Sequence, residues 1–225
     1  MHTNIFRFLS LITQCPVPSE ITDIPNIACP EDIGQIVRIG LQRKYSSGST
    51  RNAFTISSAD PDTLANWTSL LNATDATKVQ FSPHNPLLGN PEGPVGDFRT
   101  AGGGNETAQG IEKLKGRTAA TFNCQLQSVD QRVAKAFKYY EIEELQVYFI
   151  NESGYIIGEV DDKDTPTKFR GIPCRTFMCG DLQPGGYDGI SFNPIRIIFP
   201  PNWSDNLYVV TPDDFDALSA SLSGS

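Results

Sequence analysis

The sequence predicts an α+β chain that is mainly β: an antiparallel β-sandwich or barrel with one main flanking helix, an extended N-terminal arm and a long loop. Three observations predict it. Short runs rich in Val, Ile, Phe and Tyr alternate apolar with polar residues at the period of a half-buried strand. Glycine (19) and proline (16) are frequent enough to divide 225 residues into many turns. Apolar residues at helical spacing are concentrated in residues 60–71 and 128–140.

Residues 1–34 read as an arm. Pro16, Pro18, Pro25 and Pro30 stop any helix or central strand there. Yet Ile5, Phe6, Phe8, Leu9, Leu11 and Ile12 are too apolar for a free tail, so the arm is expected to bury itself, against its own domain or, as a subunit interface, against a neighbouring copy. A β-rich domain over 35–218 follows. Residues 35–43 alternate as a strand, with Val37, Ile39 and Leu41 on one face and Ile36 with Arg38 on the other. Residues 53–57 extend the sheet. Asp60 as N-cap and Pro61 at the first helical position open a helix whose Leu64, Trp67, Leu70 and Leu71 face the core. Lys78–Ser82 is a further strand.

Residues 83–116 hold so many glycines and prolines that a projecting loop or hairpin making subunit contacts is expected. Phe98, Gly102, Gly103, Gly104 and Asn105 are its candidate contact residues, alongside the apolar residues of the arm. Arg117–Gln127 alternates with Ala120, Phe122, Cys124 and Leu126 on one face. Ser128 and Gln131 fit a capping box for a helix to about Tyr140, with Val129, Val133, Ala136, Phe137 and Tyr140 inward. Leu145–Ile150 and Tyr155–Val160 form a hairpin across Asn151–Gly154. Lys168–Met178 reads as one long strand bulged near Gly171, and Ile190–Phe199 as a strand interrupted by Pro194. A short edge strand at Asn206–Val210 precedes a last short helix begun by Asp213 and Asp214, and a tail over 219–225.

The formal charge of −8 argues against a chain that coats nucleic acid by neutralising phosphates. Such acidity maintains solubility, and it would also let a polyanion slide past without adhering. Five cysteines at irregular spacing suggest buried thiols rather than a disulfide framework or a zinc site. No run approaches the apolar length of a membrane helix, so no membrane span is expected, and the first residues match a signal peptide poorly.

Chemistry-bearing constellations are absent from the pattern. His2 and His84 have no nucleophile elbow or triad partners near them in the sequence. The Gly102–Gly104 run lacks the Lys-Ser/Thr ending of a phosphate loop. Asp161, Asp162 and Asp164 lack the glycine and terminal glutamate of a calcium loop. The expectation is therefore a non-enzyme with no catalytic residue, cofactor or metal.

One region carries a resemblance. Phe98-Arg-Thr-Ala-Gly-Gly-Gly-Asn-Glu-Thr-Ala-Gln-Gly, then Thr121-Phe122, a helix with Lys138, and Glu143-Glu-Leu-Gln-Val-Tyr-Phe-Ile-Asn-Glu-Ser-Gly-Tyr-Ile resemble structural proteins of tailed bacteriophages. The likeness is to the tail-tube or tail-ring kind, especially from phages of Bacteroidota, and covers about a third of the chain. It implies a homo-oligomer, a hexameric ring with a DNA-conducting acidic lumen, partnered by other virion proteins. It also implies location in the virion tail or neck after assembly in the host cytoplasm. No single residue's role transfers. A capsid decoration or minor capsid protein is the structural alternative. A secreted β-sandwich carbohydrate-binding module is the other, for which five N-x-[ST] sequons and a Cys174–Cys179 bond would matter.

Overall fold

The computed structural model describes residues 33–83, 94, 96–105 and 110–219. The apolar arm, including Ile5, Phe6, Phe8, Leu9, Leu11 and Ile12, lies outside the described residues, as do His2 and His84. In chain order the first strands are β1 (Ile36–Arg43), β2 (Tyr45–Ser47), β3 (Thr50–Arg51), β4 (Phe54–Thr55) and, after helix α1 (Leu64–Leu71), β5 (Val79–Phe81). Then come β6 (Phe98–Gly102), β7 (Glu112–Arg117), β8 (Ala120–Gln127), helix α2 (Gln131–Lys138) and a 3-10 turn over Tyr139–Ile142. The rest are β9 (Leu145–Asn151), β10 (Ile156–Val160), β11 (Lys168–Arg170), β12 (Ile172–Pro173), β13 (Thr176–Cys179), β14 (Phe192–Phe199) and β15 (Leu207–Val210). The chain is mainly β, and its antiparallel sheets form a half-barrel. Among the described residues two helices of equal length flank the sheets, near the two positions where the sequence predicts them.

The larger sheet has eight strands, with β1 and β9 paired along their length as its spine. The β9–β10 hairpin stays paired only at Phe149–Ile157 and Ile150–Ile156. Beyond that the two strands part, and residues 168–173 enter the fork, β11 against β10 and β12 against β9. The chain then leaves this sheet, and β13 joins the second one, ordered β13-β14-β8. The single strand expected over Lys168–Met178 is thus three strands in two sheets, because the bend at the fork redirects the chain. Gly158 sits where the fork opens. A Cβ there would lie 2.5 Å from the Arg170 carbonyl oxygen, a backbone atom with no freedom to yield.

Each face of the larger sheet is covered. On one side Ile39, Leu41, Val147 and Phe149 pack against Phe122, Ile197 and Phe199 of the second sheet and Ala134 and Phe137 of α2. On the other, Tyr148 and Ile150 meet Trp67 and Leu71 of α1, with Phe54 and Phe169. Aromatic rings interlock in both cores: Phe122 with Phe149 at 5.0 Å, Phe54 with Trp67 at 4.5 Å. All seven residues of β9 are buried as a result. Ile36 belongs with Ile39 and Leu41, not with Arg38, because a bulge between Ile36 and Arg38 rephases the strand. Ala134 rather than Ala136 is the buried alanine of α2.

Arg38, on the second face, is 1% exposed. Its guanidinium donates to the carbonyls of Ser82 at 2.9 Å and of Ala217 and Ser219 at 3.0 Å. Burial lowers its pKa to about 10, against the opposing pull of Asp216. A second polar cluster fills the fork. Gln146 donates to Gln42 at 2.7 Å and to the Asn52 carbonyl at 3.0 Å, and the Tyr148 hydroxyl donates to Gln42 at 3.0 Å. Arg51 and Arg170 both donate to Glu159, at 2.5 and 2.8 Å. Among the described residues no buried side-chain nitrogen or oxygen is left without a hydrogen bond, which matters because each orphan would cost about 1–3 kcal/mol.

The helix ends differ from the sequence expectation. Helix α1 starts at Leu64, not Pro61, since residues 60–63 form a turn whose carbonyls accept from the side chains of Asn66 and Trp67. Its first backbone N–H is capped from afar, Leu64 donating to Asp214 at 2.8 Å. Asp213 and Asp214 begin no helix; residues 211–219 are bends and turns. Helix α2 is capped by Asp130, which accepts from the Arg132 N–H at 2.8 Å, whereas Ser128 adopts φ +52° outside the helix. Pro194 does not interrupt β14. The Gly180 N–H donates to the Pro194 carbonyl at 2.8 Å, and the Asn193 side chain donates to the Gly180 carbonyl at 3.0 Å, supplying the N–H that proline lacks.

Gly158→Ala should destabilise the protein by about 2 kcal/mol in urea denaturation, as overpacking does in a close-packed site. Asp161 tests the turn before β11. The Thr167 hydroxyl and the N–H groups of Lys168 and Thr167 hold its carboxyl well below the usual carboxylate range. Stability from a depressed carboxylate is present above the unfolded value, about 3.9, and is lost as pH falls through the native one. The stability deficit of Asp161→Asn should be full at neutral pH and shrink in denaturation curves taken below about pH 4.

Candidate functional site

The most unusual local structure is the ribbon of β6 and β7. Phe98 faces Arg117, Thr100 faces Leu114, and Gly102 faces Glu112, with a bulge between Arg99 and Thr100. It is a two-stranded sheet by itself, joined to neither of the larger ones. Alternation gives it two unlike faces. Phe98, Thr100, Leu114 and Arg117 share one face, with the Arg117 guanidinium 5.8 Å from the Phe98 ring centre. Arg99 and Lys113 share the other. Phe98 and Leu114 are 64% and 60% exposed.

The ribbon is anchored at its base. The Asp97 N–H donates to the Thr118 hydroxyl at 2.7 Å, the Thr118 N–H returns to the Asp97 carbonyl at 2.8 Å, and Arg117 donates to the Asn202 side chain. A cleft of about 400 Å³ lies beside this anchor, between Asp97, Phe98 and Arg117 and the turn Pro201–Asp205. Toward the tip the backbone reverses through Gly102, Gly103 and Gly104, at φ +90°, +101° and +53°. Three successive left-handed residues suit glycine alone. Asn105 follows on the exposed turn.

Of the sequence-derived contact residues, the structure therefore brings Phe98, Gly102, Gly103, Gly104 and Asn105 onto one ribbon. Sequence reasoning missed Leu114 and Arg117, which complete its apolar face. Their only signal was the brief alternation Lys113-Leu-Lys115.

Further exposed apolar residues lie in the 3-10 turn and in the loop before β14. Tyr139, Ile142, Leu182, Tyr187 and Ile190 are large apolar residues open to solvent, Ile142 at 95% and Tyr187 at 103% exposure. Glu141 ties the 3-10 turn to β13 by accepting from the Cys179 N–H at 2.8 Å, and Lys138 pairs with Asp181.

Cys124, Cys174 and Cys179 are free thiols, so no Cys174–Cys179 bond is present. Burial raises the Cys174 pKa to about 11. Among the described residues no three His, Cys, Asp or Glu side chains are grouped as a metal site requires, and no helix is long and apolar enough to cross a membrane.

No family model and no curated protein matches the chain. Among solved structures it is similar to a chain of the sixfold-symmetrised cryo-EM structure of the anti-feeding prophage (AFP) baseplate. The identity is 6% and the TM-score 0.36, over 83% of this chain and 99% of that one.

The ribbon's isolation has a measurable consequence, because two-stranded hairpins are marginally stable in water. In dispersed protomers the amides of residues 99–101 and 113–115 should exchange with solvent orders of magnitude faster than those of β9 in hydrogen–deuterium exchange.

Proposed function

We propose that the protein is a non-catalytic structural subunit of a phage virion, closing into rings or a tube of the tail or neck through its β6–β7 ribbon. The observation that carries this reading is the ribbon itself. Among the described residues it pairs with no other strand, and it holds Phe98 and Leu114 in water. Covering such a side chain contributes about 1.5–3 kcal/mol, a gain left unused while the ribbon stands alone. The sequence likeness of residues 98–160 to tail-tube and tail-ring proteins supports the same role. A ring requires a heterologous contact that closes on itself, six copies being the arrangement the likeness implies. With −8 per copy, an acidic lumen would repel the phosphate backbone and let DNA pass without adhesion.

Negative-stain microscopy and sedimentation of the purified chain at high concentration test the reading. Rings or tubes are expected. A variant with Arg99–Gly116 replaced by a two-residue Asn-Gly turn should keep the circular dichroism of the β body and remain monomeric. A full-length chain that stays monomeric, or rings with a strongly basic lumen, would overturn the proposal.

A further inference from the structure

We infer that the groove between helix α2 and strands β1 and β5 seats residues 5–12 of the N-terminal arm from a second copy of this chain. The inference rests on the proposed self-assembly and adds a second contact between copies to the one made by the ribbon.

The groove is where the first core is left unfinished. Val133, Ala136, Phe137 and Tyr140 fall at helical spacing along one apolar stripe of α2. Of these only Phe137 is buried; Val133 and Tyr140 are half-buried, and Ala136 is exposed. With Leu41 of β1 and Phe81 of β5 they line a groove of about 630 Å³. Leu41 and Tyr140 also line a smaller recess of about 190 Å³ beside Asp75 and Lys78. Strand β5 is the last in the larger sheet, so among the described residues its outer edge pairs with nothing. Apolar side chains beside an unpaired strand edge offer a guest both burial and backbone hydrogen bonds, the combination by which extended segments add to a sheet. The rim is neutral, since Asp130 and Arg132 pair with each other.

The arm supplies a guest of matching chemistry and sufficient reach. Ile5, Phe6, Phe8, Leu9, Leu11 and Ile12 crowd its first part, with Arg7 as the one charge among them. Such a segment gains most from an uncharged apolar seat. Residues 13–32 link it to Ile33, and at roughly 3.3 Å per residue that linker spans about 65 Å when extended. Pro16, Pro18, Pro25 and Pro30 stiffen it. Along β1 the same copy's Leu41 is only roughly 26 Å from Ile33, which would leave more than half of the linker slack. A body of this size is about 40 Å across, so an adjacent copy lies within the linker's span. An arm given by one copy and received by the next is a heterologous contact, the kind that closes rings, and not the self-complementary contact of a twofold dimer.

Photo-cross-linking of the full-length chain tests this, with Arg132→p-benzoylphenylalanine at the exposed rim of the groove. Unlabelled and nitrogen-15-labelled copies are mixed, assembled, irradiated and digested for mass spectrometry. Cross-links from position 132 to residues 5–12 are expected, joining light to heavy copies. Two further variants alter the contact from either side: Ala136→Glu in the groove, and Phe8→Asp with Leu9→Asp in the arm. Thermal melting of dispersed protomers should match the parent for both. In sedimentation each should need about tenfold or more higher concentration to assemble, because a carboxylate would have to enter an apolar contact. Cross-links confined to one copy, whether to its own arm or to residues 84–93, would overturn the assignment, as would an Ala136→Glu variant that assembles like the parent. Either result leaves assembly through the ribbon standing. A parent chain that never assembles overturns both proposals, and that failure is read from the unmodified sample alone.

Discussion

The whole architecture is arranged around keeping strand β9 dry on both sides. A strand with one wet face can be satisfied by a single packing layer, but all seven residues of β9 are buried. One face therefore needs the second sheet and α2, and the other needs α1 with the C-terminal turns. The polar atoms that come inside with it, on Gln146 and Tyr148, need internal partners. These come from Gln42, Asn52 and Arg51 rather than water. The parting of β9 and β10 belongs to the same arrangement. It admits residues 168–173, which extend the sheet and then carry the chain across to the covering layer.

Local pattern was legible where local pattern decides the structure. Ala120, Phe122, Cys124 and Leu126 alternate in the sequence and are all buried on one face of β8. The turn Asn151–Gly154 was readable because Gly154 takes φ +80°, where few other residues settle. The misreadings share a cause, which is contact between residues far apart in the chain. Asp60 and Pro61 look like a helix start, but Asp214 supplies the cap, 150 positions away. Pro194 looks like a strand breaker, but the Asn193 side chain restores the missing donor. Arg38 looks like the solvent side of a strand, but it meets carbonyls from residues 82, 217 and 219.

The candidate interface was half legible for a related reason. Glycine and proline density announced an excursion over 83–116, and Phe98 stood out within it. Exposure, however, is a property of the folded surface. Nothing in the sequence sets Ile142 and Tyr187 apart, and only the fold shows them exposed.

The Asp214 cap and the Arg38 contacts also bear on the order of biosynthesis. Arg38 lies on β1, yet two of its carbonyl acceptors, on Ala217 and Ser219, are made 179 and 181 residues later. Helix α1 likewise waits for Asp214. A nascent chain consequently lacks these partners for Arg38 and the cap of α1 until residues 214–219 have been made. The C-terminal turns act as a closing latch, and a truncated product ending before them would be marked by its own instability for disposal before it could enter an assembly.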